Sequence, residues 1–231
     1  MKFSSTHALL GVWTTAALIT TGASAGLVTV TDSLGATVYA SANTTAALTD
    51  AMDWVNTHSG NYGVHAQSGR YDAGTTISNR ASLTWGNSPG VIDLMGGMNV
   101  QASAQMLFEI AGTNNSNAPT TGVVDYDTVL ADGNVTYFGT LSVALLSPYT
   151  PVLGNSFQLI ATTFGKTVTW SGTLAAPTLA PGLAWQVSVA PSTNMGSTYT
   201  GQSLYLTVVP APGALALLAT AGIIGARRRR N

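Results

Sequence analysis

The sequence contains no cysteine. Disulfides and thiolate metal sites are therefore excluded, and an exported form must be held by packing and sheet hydrogen bonds. Charge is almost as scarce. Only 7% of residues are charged, against roughly 25% in an average soluble protein. Disorder does not follow, because the chain is 45% apolar and disordered segments are poor in apolar and rich in charged residues. The solvated surface must instead be made of Thr, Ser, Asn, Gln and Gly. Basic residues are the most unevenly spread. Four of the eight are Arg227, Arg228, Arg229 and Arg230, and Lys2 stands at the other end. Between them Arg70, Arg80 and Lys166 face all nine acidic residues, a balance of −6. Phosphate binding needs a basic surface, so nucleic acid is not an expected partner. No phosphate-cradling Gly-rich loop occurs either. At 231 residues the chain suits one or two domains.

What is present begins with an address. Lys2, an apolar stretch over 8–20 and the small residues Ala23-Ser24-Ala25 have the layout of a secretory signal peptide, with cleavage expected after Ala25. The apolar run is short of the roughly 20 residues that span a bilayer. Export machinery and signal peptidase are the partners this implies.

The cargo then reads as short strands. Leu27 to Thr31 alternates and is β-branched, and Thr37 to Ala40 follows a turn. One helix is expected near residues 45–57. Thr44 or Thr45 stands where a cap is needed, and Leu48, Ala51 or Met52, and Val55 share one face. Strands are expected at 62–66, 75–77, 81–85, 91–94, 98–100 and 106–110, separated by Gly, Asn, Asp and Ser turns. Residues 111–121 read as a polar loop. Further strands are expected at 139–145, 157–161, 167–170, 185–189 and 204–208.

Two resemblances carry the fold reading. The helix followed by Gly69-Arg70-Tyr71 and Thr75-Thr76-Ile77 resembles the start of a right-handed parallel β-helix of the pectin-lyase type. In that family the stretch at Gly69 to Tyr71 is a turn. Trp85-Gly86-Asn87-Ser88-Pro89-Gly90 resembles the Pro-Gly-Asn-Ser-Pro-Gly turn of autotransporter passenger repeats, with Trp85 replacing the first Pro. The expectation is an all-β chain. A β-solenoid over 26–110 has a capping helix near 45–57, and a β-sandwich-like module over 111–208 closes it. The alternative is an antiparallel β-sandwich throughout.

The C-terminus is the best-defined functional feature. Val209-Pro210-Ala211-Pro212, fourteen apolar or small residues over 213–226 and the Arg block are similar to a PEP-CTERM sorting signal. Ala211 replaces the middle Glu of that motif. Residues 209–231 would then be a sorting signal with a short transmembrane segment at 213–226. The resemblance implies processing by an exosortase-type membrane enzyme after transient membrane insertion, and the Arg block would stay inside. A permanent membrane anchor is the competing reading.

Chemistry is harder to find. A lyase would need a base beside carboxylates, and only Arg70, Arg80 and Lys166 are available. No carboxylate cluster is expected beside Arg70 or Arg80. Asp125 and Asp127 are spaced to point one way on a strand, but short Asp side chains commonly bind turn backbone. Asp125, Asp127 and Asp132 are the weak candidates for a calcium ion, which takes several oxygens. His58 and His65 lack a third ligand for zinc. His58 is expected at a helix end and His65 at a strand edge. Trp85, Trp170 and Trp185 are candidates for sugar stacking and, more simply, for core. No catalytic residue, cofactor or metal is assigned. The expectation is an exported cell-surface or matrix structural protein. A carbohydrate-binding or polysaccharide-degrading module, with an extracellular polysaccharide as partner, is the alternative.

Overall fold

The computed structural model describes residues 27–41, 44–71, 75–86, 89–115, 124–193 and 195–213. Two short strands come first, β1 (Val28–Thr31) and β2 (Thr37–Ala40), paired antiparallel. The helix α1 (Ala47–Thr57) follows. Strands then come in groups of three. The first group is β3 (Tyr62–Ala66), β4 (Gly69–Tyr71) and β5 (Thr75–Ile77). The second is β6 (Ala81–Trp85), β7 (Val91–Leu94) and β8 (Met98–Val100). The third is β9 (Gln105–Ile110), β10 (Thr128–Ala131) and β11 (Val135–Tyr137). The fourth is β12 (Thr140–Leu145), β13 (Ser156–Thr162) and β14 (Val168–Trp170). A lone β15 (Thr173–Ala175) precedes a long hairpin of β16 (Leu183–Pro191) and β17 (Gln202–Pro210).

Each group gives one strand to each of three sheets. The first sheet runs β15-β12-β9-β6-β3-β1-β2, the second β16-β17-β13-β10-β7-β4 and the third β14-β11-β8-β5. Strands from successive groups pair parallel in all three. The antiparallel sandwich is therefore ruled out. Antiparallel pairing occurs where β1 joins β2 and β3, and where β17 joins β13 and β16. Among the described residues the chain is all-β with one named helix and mixed sheets. All three sheets continue across the boundary expected at 110/111, because β10, β11 and β12 pair with β7, β8 and β9.

Register explains why this sequence tolerates parallel stacking. One inward row is Val64, Leu83, Met106, Leu141 and Leu174, each opposite the next. Another is Ile77, Val100, Tyr137 and Trp170. A third is Ile92, Val129 and Ile160. Strand side chains alternate between faces, so a slip of one residue would turn a whole row outward. Burial of these rows, at roughly 25 cal/mol per Å² of apolar area, is the main stabilising term. Trp85 is fully buried and meets Phe108 edge-on with ring centroids 4.8 Å apart. Trp185 and Trp170 are half-buried against the same core.

α1 buries Ala47, Leu48, Ala51, Met52 and Val55, the face its spacing predicts. Its start differs from expectation. Ala46 is the N-cap residue and no side chain caps it. Its last turn is tied down from outside, because Arg80 Nη2 donates to Val55 O (3.1 Å) and Asn56 O (2.8 Å).

Four strands escape the sequence reading: β4, β10, β11 and β15. Gly69-Arg70-Tyr71 is a strand rather than a turn, because Tyr71 stacks inward beside Leu94 and is fully buried. The other three are three or four residues long and exist through their ladder partners.

Candidate functional site

The residues proposed for chemistry go to separate duties. Asp127 is buried, and its two oxygens accept from Gly90 N (2.6 Å) and Glu109 N (2.8 Å). Burial pushes its carboxyl up to about 7, against the opposing pull of those two amides. Asp125 Oδ2 accepts from Asn114 N at 3.0 Å. Asp132 pairs with Arg70. Asp125 and Asp127 share no strand, since Tyr126 between them makes a single bridge to Ile110 and β10 starts at Thr128. Among the described residues, no group of three or more His, Asp or Glu could hold a metal ion.

His58 follows the end of α1, stacks on Trp54 at 3.9 Å and shares a hydrogen bond with its carbonyl through Nδ1. His65 is not at an edge. It lies inside the first sheet, exposed on its outer face, with Nδ1 3.0 Å from Thr84 Oγ1.

Arg70 does have carboxylates beside it, contrary to expectation. Its guanidinium lies 3.3 Å from Asp93 Oδ2 and 3.1 Å from Asp132 Oδ2. Tyr199 donates to Asp93 Oδ1 at 2.7 Å. Burial raises the Asp93 carboxyl, while the Tyr199 bond and then Arg70 pull it down. No motif reveals this cluster, because parallel register rather than sequence proximity puts Arg70 opposite Asp93. Arginine stays protonated, so the group works as a staple and not as a base. It fastens the segment after β16, whose Met195 and Tyr199 cover Leu130 and Ala161 on the second sheet.

Gly86-Asn87-Ser88-Pro89-Gly90 spells Gly-x-Ser-x-Gly, correcting the expectation that no such pattern occurs in the chain. A nucleophile elbow is a strand-to-helix turn. Here the segment joins strands β6 and β7, and Asn87 and Ser88 lie outside the described residues.

The stretch expected to open a sorting signal is partly strand. Val209 and Pro210 close β17 opposite Ala184 and Leu183, and Ala211 N donates to Gly182 O at 2.8 Å. The break in structure therefore comes after Pro210. Ala23, Ala25, residues 214–226 and Arg227 to Arg230 lie outside the described residues. Among the described residues no helix is long and apolar enough to cross a membrane.

The most regular surface is the outer face of the first sheet. Two ranks of side chains cross it in register. One contains Thr31, Gly63, Ser82, Gln105, Thr140 and Thr173. The other has Thr29, His65 and Thr84 in register and, past the end of the β6–β9 ladder at Leu83 and Met106, Leu107, Ser142 and Ala175 in register. Neither rank holds Asp, Glu, Lys or Arg. Neighbours bond along and across them: Thr140 Oγ1 to Thr173 Oγ1 (3.0 Å), and Gln105 Nε2 to Ser142 Oγ (2.6 Å). Along the starts of β3, β6 and β9 lies an open recess of about 510 Å³, with Asp32, Asn61, Tyr62, Asn79, Arg80 and Gln105 in its wall. The signal in the sequence was the hydroxyl residue at alternate strand positions, as in Thr29-Val30-Thr31 and Thr140-Leu141-Ser142.

Compared with protein-family models and with curated proteins, the chain matches none.

Proposed function

We propose that the chain is an exported cell-surface or extracellular-matrix structural protein. Its cargo is a short parallel β-helix, right-handed as parallel crossover connections are. Residues 1–25 direct export, and 209–231 sort the product at the membrane through an exosortase-type enzyme. The observation that best supports this reading is that the same three-sheet strand order occurs four times, with apolar rows stacked from β3 to β15. Such a stack makes a stiff spacer whose length grows by one strand spacing per turn. Its titratable groups serve internal duties: Asp127 holds backbone, Arg70 holds a covering segment and Arg80 holds a helix end.

Mass spectrometry of the secreted and surface fractions tests the sorting half. The expected product begins at Gly26 and has lost the chain after Pro212. Arg227 to Arg230 persisting in surface protein would overturn it. Restoring the motif glutamate by Ala211→Glu is expected to raise the processed fraction. The second reading, a carbohydrate-binding module, is favoured by the two uncharged, hydroxyl-bearing ranks on the outer face of the first sheet, with Glu109 as the charged residue beyond them on β9.

A further inference from the structure

We infer that the outer face of the first sheet is a binding platform for a neutral polysaccharide, with the recess along β3, β6 and β9 seating part of the bound stretch beside the first rank. The inference rests on the exported reading for access to such a polymer, but its chemistry stands on the face itself.

The face is long and regular. Seven strands at about 4.8 Å spacing carry it across roughly 29 Å. Its two ranks lie about 6.8 Å apart along each strand, since alternate residues share a face. A hydroxyl offers one donor and two acceptors. The bonds between Thr140 and Thr173 and between Gln105 and the buried Ser142 fix side-chain orientation, and Gln105, Thr140 and Thr173 keep their polar atoms at the surface. The array is thus ordered before a ligand arrives, which lowers the entropy lost on binding. Sugar hydroxyls are donors and acceptors at once, and they match such an array where an ion or an apolar chain does not.

The recess has a structural cause. A Cβ on Gly63 would lie 2.7 Å from Thr31 Oγ1, so the glycine keeps the rank open at that point. Tyr62 presents a half-buried ring there, held by its hydroxyl donating to Ser59 O (2.7 Å) and by edge contact with Trp54. The charges in the wall are already engaged. Arg80 donates to the carbonyls ending α1, and Asp32 Oδ1 accepts from Leu34 N and Ala36 N.

Charge selects the class of polymer. The ranks are uncharged, and the chain between Lys2 and the Arg block has nine acidic residues against three basic ones. Anionic polymers are repelled and neutral ones are not. Each hydroxyl contact is weak in water, so retention comes from many contacts along one chain. A polymer is therefore the ligand, and a single sugar is held too weakly to detect.

The purified full chain is mixed with insoluble cellulose, or with immobilised polygalacturonate as the anionic arm, and the bound fraction is measured. Expected is retention on cellulose that glucose does not compete away, and none on polygalacturonate. The Gln105→Glu/Thr173→Glu double variant should lower retention at least tenfold. Thr140→Val, which removes one hydroxyl and adds no charge, should lower it severalfold. Thr169→Glu, exposed on the third sheet, should leave it unchanged. Melting curves establish that each variant is folded. The inference is overturned by retention on the anionic polymer alone, by no retention on cellulose, or by equal loss in Thr169→Glu. The assay reads purified protein whatever its processing, so failure here leaves the sorting proposal intact, and failure of sorting leaves this result readable.

Discussion

The two ends of the parallel stack meet the same hazard and answer it differently. A stack of parallel strands leaves unpaired backbone groups and exposed apolar rows at each end. At the first end, β1 and β2 add only four residues each, and α1 lays Leu48, Ala51, Met52 and Val55 over the open core. At the other end the covering elements among the described residues are strands. β17 and β16, nine residues each, extend the second sheet instead, with Trp185 hydrogen-bonded to Pro177 O at 2.9 Å and Phe157 6.0 Å away. The first closure works by burying apolar side chains. The second adds a long backbone ladder, in which β17 buries Leu204, Leu206 and Val208 while the side chains of the outer strand β16 are at most half-buried. Damage to a side chain should therefore cost more on α1 than on β16.

Leu48→Ala tests that most directly. Leu48 is 1% exposed, so the loss should be about 2–5 kcal/mol, read from urea unfolding midpoints. Next comes Asp127→Ala, which lies between the ends and belongs to neither closure. It leaves the Gly90 and Glu109 amides without their acceptor, at about 1–3 kcal/mol for each. Asp127 also sets a pH dependence. Its folded-state value is about 7, raised above the ordinary 3.8, so the folded protein binds the proton more tightly than the unfolded chain. Its contribution is full below the unfolded value, declines as pH rises toward 7 and is lost above it. Asp127→Ala should remove that decline, seen by comparing melting temperatures of both proteins from pH 4 to pH 8. Trp185→Ala should cost about 1–2 kcal/mol, below the 3–5 usual for a buried Trp, because this one is half exposed. A larger loss at Trp185 than at Leu48 would reverse the comparison.

Legibility followed the same division. The α1 face was readable because a helix buried on one side writes a 3.6-residue period into the sequence. β3, β6 and β12 were readable because their alternation is complete. β10 was not, since Thr128, Val129, Leu130 and Ala131 are all buried and show no alternation. The reason lies far along the chain: Met195 and Tyr199 cover its outer side. The Arg70, Asp93, Asp132 and Tyr199 cluster was illegible for the same reason, because its members meet only through register and a returning loop. Asp125 and Asp127 were legible as turn-binding carboxylates but not as separate ones, since spacing alone cannot tell a strand from the bridge at Tyr126.

The smallest expected effect on stability separates the ends by their edges rather than by their cores. β2 is short, which limits any pairing with another chain. β16 is nine residues long, carries no charge and pairs only with β17. Charged residues and brevity are the usual protections of an edge, and β16 has neither. Val189 is 37% exposed and Val38 is 40% exposed, so lysine at either should shift stability by no more than about 0.5 kcal/mol. Their effects on association should differ. At high protein concentration the native chain is expected to self-associate through β16, and Val189→Lys should suppress this in light scattering. Val38→Lys should leave it unchanged, because four residues offer too few backbone groups to hold a partner. Equal suppression by both would place the sticky edge elsewhere and would remove the distinction between a buried closure and a laddered one.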